Sequence, residues 1–155
     1  MSAAPHHERI RALTYEYTFR LDRGDFSGVA ELLASGQLRM AAKGMDDAPI
    51  RGAAAIEAFY AGQVVTYDGD PRTRHLITNH VVEVDAEAGS AGGECYFTVL
   101  QAVPRQPIGT VVCGRYHDRF ELADEEWRFV EKVIQVDYLG AIGEHFAIDA
   151  DHAAR

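Results

Sequence analysis

From Glu8 onward, apolar side chains recur at Ile10, Leu13, Tyr17 and Leu21, separated by three or four residues. That spacing places them on one face of a helix. Gly24 is a suitable stop. Asp25 reads as the N-cap of a second, short helix through FSGVAELLA. Gln37–Ala42 reads as a strand and Ala48–Arg51 as a short extended piece. A third helix is predicted over about Ala53–Val65, where Ile56, Phe59, Tyr60 and Gln63 keep helical spacing. After Pro71 the pattern becomes extended, over Thr73–Asp85, Glu94–Val103, Gly109–Leu122 and Trp127–Leu139. The breaks AEAGSAGG, PRQP and ADEE are turn-like. Helices first and a strand meander afterwards describe an α+β fold, not an alternating βαβ chain. Residues 1–7 read as a loose tail. The pattern from Gly140 onward is too mixed to assign and could cover a pocket mouth or a partner surface.

The chain has 155 residues, most simply one domain spanning 1–155. At that size roughly 70% of the unfolded surface is buried, so a core needs no staples. A formal charge of −9 argues against nucleic acid and anionic membranes as partners. The first residues contain no uninterrupted apolar run, which predicts neither a leader nor a membrane anchor. With two cysteines in apolar, strand-like surroundings, Cys95 and Cys113, a cytoplasmic protein with buried reduced thiols is expected. The hairpin at PRQP would not place them opposite each other. His75, His80 and His117 show no ligand spacing, so no metal site is expected.

The candidate chemistry begins at RTRHLITNH, Arg72–His80. Strict alternation puts His75, Ile77, Asn79 and Val81 on one face and Leu76, Thr78, His80 and Val82 on the other, unless a bulge intervenes. His75 and Asn79 would then lie about 13 Å apart, so chemistry is assigned to His75 alone. Two aspartates near the end of the first helix differ in employment. Asp25 has a structural task as an N-cap, whereas Asp22, beside the apolar stripe ending at Leu21, needs a partner. Tyr17 lies on the same stripe. Lys132 shares a strand face with Val130, Ile134 and Val136. It is a substrate-binding candidate if that face is inward and merely solvated if it is outward.

Three stretches together resemble the SnoaL-like family of the nuclear-transport-factor-2-like superfamily. They are IRALTYEYTFRLDRGDFSGVAELL (10–33), TRHLITNHVVEVDAEAGSAGGECYFTVLQ (73–101) and GRYHDRFELADEEWRFVEKVIQVDYLG (114–140). The resemblance implies a curved, mostly antiparallel sheet wrapped around helices as a cone with an internal apolar pocket. It also implies dimerisation or higher homo-oligomerisation through outer sheet faces. Dehydratases and dehydrochlorinases of this superfamily pair a histidine near the start of this strand with an aspartate ending the first helix, which corresponds to His75 and Asp22. The Tyr17-to-Asp22 spacing resembles that of bile-acid dehydratases. Related sequences often carry an arginine near Lys132, so the lysine weakens bidentate carboxylate binding. The ketosteroid-isomerase pattern lacks its acidic base in QLRMAA. Arg115 and Asp118, three apart, would face opposite sides and break the epoxide-hydrolase network.

The expectation is therefore a cofactor-independent lyase of dehydratase type, or an isomerase, acting on a mostly apolar cyclic small molecule. His75 would be the general base, oriented by Asp22 and assisted by Tyr17, with Leu13 and Leu21 near the same internal cavity. The alternative is a non-catalytic binding or assembly subunit resembling the β subunit of ring-hydroxylating dioxygenases, since a fold does not fix a function.

Overall fold

The computed structural model describes residues 4–42 and 47–140. Helix α1 spans His6–Asp22, starting two residues before the expected Glu8 because Pro5 supplies an extended entry and its carbonyl accepts the first helical hydrogen bonds. Helix α2 spans Phe26–Leu33, and the Asp25 side chain accepts from the Gly28 amide at 3.0 Å, as an N-cap should. Between the two helices, Gly24 has φ +73°, and a Cβ there would lie 2.4 Å from the Gly69 carbonyl oxygen. Only glycine fits that corner. Strands β1 (Gln37–Ala41) and β2 (Ile50–Arg51) precede α3 (Ala53–Gln63). Strands β3 (Thr73–Asp85), β4 (Ser90–Gln101), β5 (Gly109–Ala123) and β6 (Glu126–Leu139) form the meander. Ser90–Gly93, read in the sequence as part of a turn, belong to β4. A side chain at Gly93 would press on Phe120 at 3.2 Å, so the absence of one admits that ring to the core.

The six strands make one open sheet in the order β2-β1-β6-β5-β4-β3. All pairs are antiparallel except β1 with β6. The fold class is thus α+β with a mixed curved sheet and three helices. Four register shifts interrupt the ladders: at Asn79–His80 in β3, Val111 in β5, and Val130 and Asp137 in β6. Each adds an unpaired residue, bends its strand and increases the local twist. Together they curl the long strands around α1.

The bulges also correct the expected alternation. Asn79 takes φ +54°, a left-handed conformation that asparagine tolerates better than most residues. His75 and Ile77 face inward, Leu76 and Thr78 outward, as expected. Beyond Asn79 the parity inverts. His80 and Val82 turn inward, and Val81 is exposed instead of sharing the His75 face. In β6, Trp127 and Phe129 are buried before the shift, and Lys132 and Ile134 after it. Val130 therefore leaves the row it was expected to share with Lys132.

The inner face supplies Phe97, Val99, Val112, Tyr116, Phe120, Phe129 and Ile134, packed against Ile10, Tyr17, Leu33, Ile56 and Tyr60 from the helices. Phe97 stacks on Tyr116 at 4.4 Å, and Tyr116 meets Tyr17 edge-on at 5.8 Å. Such aromatic pairs add about 0.5–1.5 kcal/mol each beyond their area burial. Cys95 faces inward opposite Tyr116. Cys113 pairs with Thr98, faces outward, and is not opposite Cys95. The region from 141 onward lies outside the described residues.

Candidate active site

The last residue of α1 is Asp22, and its location sets its chemistry. A carboxylate at a helix C-terminus faces the negative end of the dipole and needs compensating donors. β3 provides three. Asp22 Oδ1 accepts from the Thr73 hydroxyl at 2.7 Å and contacts His75 Nδ1 at 2.6 Å, while Oδ2 accepts from the His75 backbone amide at 3.0 Å. Both side chains of the pair are nearly buried, 10% exposed for His75 and 11% for Asp22. Burial alone would push the Asp22 carboxyl up. The hydrogen bonds from His75 and Thr73 outweigh it and hold the group below the usual aspartate value. An ionised carboxylate only accepts, so His75 Nδ1 carries the hydrogen, and Nε2 is left as the acceptor nitrogen. Thr73 lies two residues before His75, on the same strand face. That parity was readable in the sequence, although its bond to Asp22 was not.

Tyr17, one and a half turns earlier on α1, is fully buried. Its hydroxyl lies 2.7 Å from that of Tyr60 on α3, so it is not bonded to the dyad. Burial pushes the Tyr17 phenol well above 10, with the neighbouring Tyr60, Tyr116 and Asp118 adding to the shift. Tyr60 is likewise raised, mainly by burial. Both therefore remain protonated. Leu21 is buried beside Asp22, and Leu13 packs on the periphery of the core.

Lys132 faces inward and is completely buried. Its ammonium donates to Asp118 at 3.0 and 3.1 Å and lies 3.8 Å from the Tyr116 ring centroid and 4.3 Å from that of Tyr17. Burial raises the Asp118 carboxyl, against the opposing pull of Lys132. Asp118 does face opposite Arg115, which pairs outside with Asp137 at 3.0 Å. Its partner is instead Lys132, directly across on β6. Lys132 is thus engaged within the core by Asp118, which the sequence reading had weighed only against Arg115.

His80 was also missed. Its two ring nitrogens are shielded from solvent and have no hydrogen-bond partner. Burial, with Arg11 and Lys132 nearby, pushes its pKa down to about 4. Among the described residues no group of three His, Cys, Asp or Glu side chains converges as a metal site. No described helix is long and apolar enough to cross a membrane.

A curved open sheet closing over three helices is the α+β cone fold of nuclear-transport-factor-2-like proteins. The chain belongs to the SnoaL-like domain family, whose profile matches residues 2–133. A protein of unknown function from Mycobacterium tuberculosis is 27% identical, with a TM-score of 0.68 over 95% of this chain and 82% of that one. A candidate scytalone dehydratase from Novosphingobium aromaticivorans is 17% identical, with a TM-score of 0.65 over 86% and 85% of the two chains. The β subunit of a candidate aromatic-ring-hydroxylating dioxygenase from the same organism is 18% identical, with a TM-score of 0.66 over 86% and 90%. These last two likenesses concern the fold alone. No curated protein matches the sequence.

Proposed function

We propose that the protein is a cofactor-independent lyase of dehydratase type, or an isomerase using the same base, acting on a mostly apolar cyclic small molecule. The observation that carries this reading is the Asp22–His75 contact of 2.6 Å, with Asp22 further held by the His75 amide and Thr73. His75 Nε2 takes a proton from carbon next to an activating carbonyl and returns it to the β-hydroxyl as that C–O bond breaks, releasing water, or to another carbon in an isomerisation. Asp22 holds the tautomer and stabilises the imidazolium that forms. Tyr17 bonds to Tyr60 at 2.7 Å and also to Tyr116, so three phenol hydrogens serve two contacts and the third is the donor in this reading for an oxygen that gains negative charge. Leu13 and Leu21 belong to the apolar surround, whereas Lys132 acts from behind the tyrosine rings and not as a direct ligand. A reducing, cytoplasmic setting accompanies this reading.

Proton removal can be tested without the natural substrate. The wild type is expected to accelerate exchange of the hydrogens adjacent to the carbonyl of α-tetralone in deuterium oxide, followed by NMR. His75→Ala should abolish the acceleration, and Asp22→Asn should lower it by about 10²–10⁴. If both variants exchange at the wild-type rate, the general-base reading falls.

The second reading, an assembly subunit, is favoured by the outer sheet face. Leu76, Thr98, Cys113 and Tyr138 form one row across β3–β6. Leu76, Tyr96 and Tyr138 are 47%, 51% and 74% exposed. We propose that this face joins two copies of the chain. Light scattering should show a dimer that Tyr138→Lys dissociates. A wild-type monomer would remove the proposal.

A further inference from the structure

Lys132 is the only buried lysine or arginine among the described residues. An unpaired ammonium on the inner face would make the cone a receptor for anions. Here it is cancelled. Asp118 meets it with both oxygens, and the faces of Tyr116, Tyr17 and Phe129 enclose it at 3.8, 4.3 and 5.4 Å. Asp118 itself is 4% exposed, so its charge is not shared with solvent. The arginines of α1 are engaged too: Arg9 with the Glu125 carbonyl and Glu126, Arg11 with Glu8, and Arg20 with Glu16 and the Gly28 carbonyl.

We infer that the site selects uncharged ring substrates and rejects carboxylates, with Asp118 as the residue that determines this specificity. The inference rests on the general-base reading of His75. A base must hold a neutral imidazole when the substrate enters, and in that state the charge of Asp22 is unbalanced. Lys132 and Asp118 together add nothing. A carboxylate would therefore lose its hydration beside a net negative charge, with no buried cation other than the cancelled Lys132 among the described residues to replace the water. A ketone or hydroxyl oxygen pays little desolvation and, in the same reading, needs only the one phenol hydrogen that the tyrosine set does not use internally. A lysine at this position does not by itself announce acid recognition, because the residue opposite it on β5 decides whether its charge is available.

The experiment compares two probes of one shape, naphthol and naphthoate, titrated into the full chain at neutral pH with binding read from the His75 ring resonances. The wild type is expected to bind naphthol at least tenfold tighter. Asp118→Asn, which leaves Lys132 uncancelled, should shift that ratio toward naphthoate by about tenfold, the order expected of one uncompensated unit charge on the inner face. Lys132→Gln alters the charge in the opposite sense and should not shift the ratio toward naphthoate, so either folded variant gives a signed readout. Equal or tighter naphthoate binding by the wild type overturns the inference, as does an unchanged ratio in folded Asp118→Asn or a shift toward naphthoate in folded Lys132→Gln. If neither probe perturbs His75, the general-base site itself is refuted, an outcome distinct from binding without selectivity.

Discussion

Replacing His80 with leucine tests whether a buried imidazole without partners makes the protein acid-sensitive. Its pKa is about 4 in the folded chain, against an ordinary value of 6.5. Between those values the unfolded chain binds the extra proton and the folded chain does not. Stability is therefore fully present above about pH 6.5 and declines as pH falls toward 4. The full shift corresponds to a ceiling of about 3 kcal/mol. The ring is only partly covered by protein although its nitrogens are shielded, and solvent screening reduces the expected effect to about 1–2 kcal/mol. Urea unfolding of wild type and His80→Leu at about pH 7.5 and about pH 4.5 gives the difference directly. Wild type should lose about 1–2 kcal/mol more than the variant over that interval. Carboxylates such as Asp22 titrate lower and are common to both chains, so they cancel. At the higher pH, His80→Leu should match or exceed wild type, because two unsatisfied nitrogens leave the core. Parallel pH profiles would refute the reasoning. So would a large loss at neutral pH, which would show that the nitrogens have partners.

Asp22→Asn should keep the fold at a cost of about 0.5–3 kcal/mol in urea unfolding, whereas Asp25→Asn should change little because asparagine also caps helices. The stabilisation from Asp22 is expected above its ordinary pKa of 3.8 and should fade as pH drops below it, the direction set by its lowered folded value. Lys132→Met should destabilise by about 3–5 kcal/mol, since it strands the Asp118 charge in the core, and adding Asp118→Leu should recover most of that loss. A double variant no more stable than the single one would show that the pair is not coupled as described. Asn79→Gly should be nearly neutral and Asn79→Val should cost about 1–3 kcal/mol, because valine resists positive φ. Equal melting temperatures for these two would contradict the bulge.

The elements were largely legible in the sequence. Ile10, Leu13, Tyr17 and Leu21 marked α1, and the extended stretch Thr73–Asp85 has the bounds of β3, although its alternation holds only as far as Thr78. The ends of elements differ by a few residues, where the pattern gives no sharp signal. The bulges were not legible, because one extra residue leaves local composition unchanged while inverting everything beyond it. Asn79 was the sole hint, as a residue tolerant of left-handed backbone. The same cause hid the partner of Lys132. Near the turn, Leu122 pairs with Trp127 and Phe120 with Phe129, a register that extrapolates Asp118 onto Glu131. The extra residue at Val130 slides Lys132 into that place instead. Asp22 and His75 were legible because neither contact crosses a bulge. The Tyr17–Tyr60 bond was not, since it depends on how α3 packs against α1.

The bulge at Asn79 has a further consequence for how the molecule behaves in company. β3 is the terminal strand of the open sheet. A long, straight terminal strand offers a row of free amides and carbonyls to any extended chain, and VVEVD or HLIT is the kind of apolar sequence that would accept the offer. The left-handed residue breaks that row into Thr73–Thr78 and Val81–Asp85, with a change of direction between them. The two pieces therefore do not present one straight, continuous edge. The backbone kink that carries His80 inward thus also guards the margin of the sheet against fibre-like growth.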